Sequence, residues 1–252
     1  MTAPNATFEY LLRLGDNSLV LGHRISEWVG HAPAIEEDLA LGNVALDLIG
    51  QARLWLTLAG EVEGNGRDED QLAYLRDAGA YRNLLLVEQP NGDFGATIAR
   101  QFYFDTWHHL LLQRLASSAD ARIVGIAAKA LKEVNYHLRR SSDWVVRLGD
   151  GTEESHRRMQ AGIEDLWFYT GEMFEADAVD IAMAAAGTGI DPSTLRQAWN
   201  AHVNDTLAEA TLQVPQPGWA QRGGKRGIHT EHLGFLLAEM QFLQRAYPGA
   251  TW

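Results

Sequence analysis

IEEDLALGNVALDLIGQARLWLTLAGEVE, residues 35–63, is the stretch that decides the fold. Its apolar residues recur at helical spacing, with no alternation of the kind a half-buried strand shows. Pro33 stands just ahead of it, and Glu36, Glu37 and Asp38 fill its first turn, where carboxylates suit the positive end of a helix dipole. The run stops at the GNG of residues 64–66. This is one long helix, and its neighbours read the same way. A first helix spans Phe8 to Gly30. Asp93 caps a third, FGATIARQFYFDTWHHLLLQRL, and Asp120 caps a fourth that reaches Leu148 before GDG.

Four helices of roughly 20 to 30 residues, joined by short loops, pack as near-antiparallel neighbours in a bundle. Shorter elements surround them. One lies near Asp68 to Arg76, and a fifth helix runs from Thr152 to Phe174. Asp191 and Pro192 open another at DPSTLRQAW, and the last follows RGGKRGIHT and runs to about Tyr247. LLLVE, residues 84–88, is the one strand candidate, and it sits in a connector closed by Pro90, Asn91 and Gly92. No repeat or linker divides the chain, so residues 1–252 read as a single all-α domain with a four-helix core and additional C-terminal helices.

Composition narrows the function. Hydrophobic residues at 46% and charged residues at 21% describe a globular protein with a core. A formal net charge of −12 argues against nucleic acid and against an anionic membrane surface as partners. There is no cysteine, which excludes disulfides, thiolate nucleophiles and cysteine-ligated metals. MTAPNATFEY has no basic region followed by an apolar run, and no stretch is long enough to span a bilayer, so the expected setting is the cytoplasm.

Long four-helix bundles can hold carboxylate-bridged di-iron centres. Two helices then supply a Glu each, and the other two supply Glu-x-x-His, whose spacing turns both ligands to one inward face. That motif is missing from all four long helices. ALKEVNYHLRR, residues 130–140, has Glu133 and His137 four apart, and the residue three before His137 is Val134. In the second helix Leu48 and Gln51 stand where the acid and imidazole would be, with Asp47 beside them. The third helix has Asp105 and His108 at the right spacing with the shorter acid. Glu27 is a further carboxylate. This is half of a working site, the remains of one, or an ordinary helix surface with Glu133 facing Lys129 or His137. Any acid left in such a core should meet a cation or take up a proton, so Asp105 and Glu133, if buried, are expected beside Arg, Lys or His. His229, Glu231 and His232 offer a weak zinc pattern against a reading of capping and packing. Arg222, Lys225 and Arg226 in RGGKRG have the Gly-rich, basic character of a phosphate contact, against a plain solvated loop.

Four segments carry a resemblance: LRLGDNSLVLGHRISEWVGHAPAIEEDLALGNVALDLIGQAR, NLLLVEQPNGDF, KALKEVNYHLRRS and GIHTEHLGFLLAEMQFLQR. They are similar to the non-catalytic C-subunit family of the bacterial phenylacetyl-CoA 1,2-epoxidases, from about Leu11 to Trp252. The resemblance implies a ferritin-like bundle and a metal-free structural subunit. Its partner would be a catalytic A subunit that holds the di-iron centre, in a heterodimer that dimerises further, with a reductase and other subunits joining. It implies no catalytic residue and no cofactor in this chain, and phenylacetyl-CoA near the interface. Two candidate contacts with the CoA thioester follow: Ala80, Tyr81, Arg82 and Asn83, where a ring, a guanidinium and an amide could stack on a base and hold phosphates, and Ile181, Ala182 and Met183. Asp47, Leu48, Gln51, Asp105, His108, Glu133, Val134 and His137 would then be positions of a vestigial site. Two rivals stand beside this reading, an autonomous ferritin-like di-iron oxidase and a stand-alone acyl-CoA-binding module.

Overall fold

The computed structural model describes residues 5–216 and 218–250. Among them the chain is all-α, with ten α-helices, several 3-10 turns and no strand. Four long helices followed by shorter ones agree with the ferritin-like class. The helices are α1 (Ala6–Ser26), α2 (Ile35–Glu63), α3 (Glu69–Tyr74), α4 (Phe94–Leu115), α5 (Ala121–Gly149), α6 (Glu153–Trp167), α7 (Ala178–Ala185), α8 (Arg196–Glu209), α9 (Glu231–Met240) and α10 (Phe242–Ala246). The chain forms two compact units, Met1–Pro90 with Arg222–Trp252, and Asn91–Gln221.

The first unit is built on α1 and α2. A Cβ on Gly15 would lie 2.7 Å from Leu56, and one on Gly22 would lie 3.0 Å from Ile49 and 3.3 Å from the Ala45 carbonyl. Rising numbers on α1 meet falling numbers on α2, so the pair is antiparallel, and the two glycines set how closely it packs. Leu11, Leu21 and Ile25 of α1 and Leu41, Leu48 and Trp55 of α2 are fully buried. Each such aliphatic side chain contributes about 1.5–3 kcal/mol relative to its exposed state. α2 lacks a side-chain cap and relies on its first-turn carboxylates; Gly64, with φ 71°, closes it in the left-handed region. α9 buries Leu233, Leu236 and Leu237 and packs on α1. The strand candidate is a 3-10 turn, Leu85–Glu88. All four of its residues are buried, and the Leu84 and Leu86 carbonyls accept from Val87 and Gln89 within the turn. The backbone is satisfied locally, without a ladder.

The second unit is built on α4 and α5, also antiparallel, with Phe94 against Trp144 at one end and His109 2.8 Å from Asn135 at the other. Asp93 caps α4 at the Ala96 N–H (2.9 Å), and Asp120 caps α5 at the Arg122 N–H (2.9 Å). α6 lies against α4, where the Tyr103 hydroxyl donates to the Ile163 carbonyl (3.0 Å). Trp199 of α8 donates from Nε1 to the Tyr103 carbonyl (3.0 Å), and Tyr103, Trp167, Phe174 and Trp199 form one aromatic cluster. The fifth helix is shorter than its sequence suggests. It ends at Trp167, whose carbonyl takes the Thr170 hydroxyl, and a 3-10 turn, Gly171–Phe174, follows. α7, opened by an Asp177–Asp180 capping box, is an additional helix that the sequence pattern does not lead one to expect.

Candidate functional site

In the second unit, α4 and α5 bring together the residues that the di-iron pattern singles out. Asp105, His108, Val134 and His137 are all buried, and Glu133 is half-buried. Asp105 accepts from Gln101 Nε2 (3.1 Å). Burial pushes its carboxyl up to about 6, against the opposing pull of His137, the Ser141 hydroxyl, Arg140 and Gln101. The expectation of a cation beside this acid holds: His137 and Arg140 are there. Burial also pulls His108 down to about 3, helped by His137 and His109, and its Nδ1 has no hydrogen-bond partner. Val134 is fully buried three residues before His137, at the place a Glu ligand would take. A branched hydrocarbon cannot coordinate a metal, and one carboxylate with two imidazoles is half of the set that a di-iron centre requires. Among the described residues, no group of three or more His, Asp or Glu is arranged to hold a metal ion.

In the first unit, α2 turns Leu48 and Gln51 inward, both buried, with Asp47 half-buried beside them. Leu48 is part of the apolar core.

The segment Ala80–Asn83 leaves the 3-10 turn Ala78–Ala80 and runs beneath the C-terminal loop of the same unit. Tyr81 is enclosed. Its hydroxyl donates to the Ala73 carbonyl and accepts from Gln241 Nε2 (3.0 Å), and the Arg76 guanidinium lies 4.3 Å above its ring. Asn83 is enclosed too, donating from Nδ2 to Glu88 (2.9 Å) and to the Leu84 carbonyl (3.1 Å). In this arrangement neither the ring nor the amide offers a surface to a base. Arg82 is half-buried and donates from Nε to Glu9 (2.8 Å), while its own N–H goes to Asp16 (2.8 Å). Ala80 is half-buried. In the second unit, Ile181 is 59% exposed and Ala182 is exposed on α7, whereas Met183 is buried and gives its carbonyl to Thr188 and Gly189.

RGGKRG is a packed loop. A Cβ on Gly224 would meet the Asn83 carbonyl oxygen at 2.1 Å, and one on Gly227, at φ +76°, would meet that of Gly79 at 2.2 Å. The glycines are there because the loop lies directly on residues 79–85. The zinc pattern dissolves for a related reason. His229 Nδ1 is 2.8 Å from Glu88 Oε2, and Nε2 is 3.1 Å from the Tyr81 carbonyl oxygen.

Two buried polar centres escaped the sequence. Glu88, fully buried, gathers His229 Nδ1, Asn83 Nδ2, and the N–H (2.7 Å) and hydroxyl (2.8 Å) of Thr230, while its carbonyl accepts from Arg24 at 3.1 and 2.9 Å. Asp16, in the middle of α1, pairs through both carboxylate oxygens with Arg76. A polar Asp16-Asn17-Ser18 run in an otherwise apolar helix was the available signal for the second. Nothing near Glu88 marked the first.

The whole chain, residues 1–252, matches a family described as "Phenylacetic acid catabolic protein". It is also 55% identical over 248 residues to the C subunit of the 1,2-phenylacetyl-CoA epoxidase of Escherichia coli (strain K12), covering 98% of this chain and 100% of that protein.

Proposed function

Because the chain belongs to the phenylacetic acid catabolic protein family, we propose that it is a structural subunit of a phenylacetyl-CoA 1,2-epoxidase. In this reading it pairs with a di-iron catalytic subunit, stabilises it, and holds no metal itself. The heterodimer dimerises further, and a reductase and other subunits complete a cytoplasmic assembly that epoxidises the aromatic ring. Residues 1–252 act as one domain.

The observation that supports this most is the α4–α5 interior. A di-iron bundle needs about four carboxylates and two imidazoles facing one another. Here Val134 fills an acid's place with hydrocarbon, and the surviving acid, Asp105, has His137, Arg140, Ser141 and Gln101 around it. A cage of carboxylates left without metal would bury like charges together at several kcal/mol each. Leu48 and Val134 remove that penalty and keep the bundle packed. The chain then serves as scaffold, with the geometry of a metal protein and the interior of an ordinary one.

Two surfaces are proposed to reach the CoA thioester, each within its own unit. One is Ala80 to Asn83, with Arg82 as the contacting group and Tyr81 and Asn83 as the buried supports that hold its backbone. The other is Ile181 and Ala182 on α7, with Met183 anchoring the helix. The first test is reconstitution. Turnover of phenylacetyl-CoA should require both this chain and the di-iron subunit, and neither alone should give product. Turnover by the di-iron subunit alone at the full rate would refute the reading. Arg82→Ala should weaken acyl-CoA binding by the complex about tenfold, the loss of one charge-assisted contact, with iron content unchanged.

A further inference from the structure

α5 departs from the charge balance of the chain. The whole protein has 33 acids against 21 bases, yet α5 holds six of those bases and two of the acids. Five of the six, Arg122, Lys129, Lys132, Arg139 and Arg147, are exposed. Their spacing sets them on one stripe of the helix, with successive turns three or four residues apart. From Lys129 to Arg147 the stripe is about 27 Å long, at 1.5 Å per residue. A solvated helix face commonly mixes its charges, and α6 of the same unit does so: Glu154 meets Arg157 (2.9 Å) and Arg158 (2.6 Å). The α5 stripe does not. Among the described residues, Lys129, Lys132, Arg139 and Arg147 have no carboxylate within ion-pair distance, and Arg122 has its own helix cap, Asp120. Asp143 is exposed one turn from both Arg139 and Arg147 and pairs with neither. In the middle of the stripe stands Tyr136, 40% exposed, with the Arg139 guanidinium 5.9 Å over its ring. A row of like charges repels itself until an anion meets it.

We propose that this stripe docks a second protein through a row of carboxylates on that partner, in a complex held by charge and anchored at Tyr136. Tyr and Arg are the residues on which such contacts centre. Tyr136 is the one large apolar side chain of α5 that is exposed. The face therefore lacks the apolar interior of a permanent interface, and it suits a partner that binds and leaves. It fits a protein rather than a nucleic acid. A duplex carries one charge per about 1.7 Å along its whole length, and it would run off the stripe onto a chain whose other residues are strongly acidic. A partner with its acids confined to one helix or edge does not meet that repulsion. A membrane surface calls for large apolar residues on the opposite flank of the bases, and α5 exposes none besides Tyr136. The inference rests on this helix and not on the oxygenase reading: loss of either leaves the other standing.

The probe is a synthetic helical peptide with Glu at every third or fourth position, fluorescently labelled, titrated with the full chain and read by anisotropy. Binding is expected at low salt, with a dissociation constant of roughly 1–100 μM. It should weaken at least about tenfold between about 20 and 200 mM salt, because exposed charges are screened. At low salt the double variant Lys129→Glu with Lys132→Glu should weaken binding at least about tenfold, and Tyr136→Ala about threefold or more. The fold should survive, because these positions are exposed and Glu favours helix as Lys does; circular dichroism checks this. Arg226→Glu reverses an exposed cation of the other unit and should change the affinity by less than about twofold. No binding at low salt overturns the inference. So does a loss on Arg226→Glu equal to that of the α5 variants, which would mean attraction to charge anywhere on the chain. So does displacement of the probe by a single-stranded oligonucleotide at lower concentration than by unlabelled peptide of equal charge, which would make nucleic acid the occupant.

Discussion

Asp105→Asn should stabilise this protein more at high pH than at low pH. The substitution keeps the shape of the side chain and removes its ability to ionise. In the native protein burial pushes the Asp105 carboxyl up to about 6, from an ordinary 3.8. The folded value is the higher one, so the native state binds the proton more tightly. The stabilising contribution is complete below about pH 3.8 and is lost as the pH rises through about 6. At 1.36 kcal/mol per pH unit, a one-site titration between these values gives a penalty of about 1.6 kcal/mol at pH 5 and about 3 kcal/mol at pH 8. The group is wholly buried, so solvent screening does not reduce this. The stability of the Asn variant relative to wild type should therefore rise by about 1.4 kcal/mol from pH 5 to pH 8. Any fixed difference between Asn and a protonated Asp cancels in that subtraction. Urea unfolding of both proteins at the two pH values measures it. A difference that is flat or that falls with pH would show that burial does not raise the Asp105 carboxyl above its ordinary range, and this account of its surroundings would be wrong.

Other expectations concern the same interior and the first unit. His108 is pulled down to about 3, so its contribution is complete above pH 6.5 and fades as the pH falls; between pH 7.5 and pH 5, His108→Leu should lose about 2 kcal/mol less stability than wild type in urea titrations. Glu88→Ala removes the acceptor shared by His229, Asn83 and Thr230 and should destabilise by about 3 kcal/mol or more, read from the denaturation midpoint. Tyr81→Phe breaks the links to Ala73 and Gln241 and should lower stability by about 1 kcal/mol; a neutral result would mean the hydroxyl is replaceable by water.

The long helices were legible because their ends are marked locally. Asp93, Asp120 and Asp191 cap where their types and positions suggest, and α4 begins at the residue after its cap. The break after Trp167 was hidden, because the residues on both sides of it remain helix-compatible and the Thr170 hydroxyl that stops it is an ordinary residue by pattern. The candidate metal positions were legible through spacing alone, since Val134 and His137 share a face of α5 whatever packs against it. The Glu88 centre was not, because its partners His229 and Thr230 are more than a hundred residues away in sequence and no local periodicity encodes such a meeting. The same distance hid the enclosure of Tyr81: its role as a support depends on Gln241, 160 residues on.

The central claim is that this chain is the metal-free scaffold of a di-iron oxygenase. The most direct test is the metal content of the chain purified alone and co-purified with a di-iron partner, measured by mass spectrometry of acid-released metal. Iron should appear in the co-purified complex, at about two per heterodimer as a carboxylate-bridged centre requires, and not in the lone chain. Two irons per molecule in the lone chain would contradict the account and make it an oxidase in its own right.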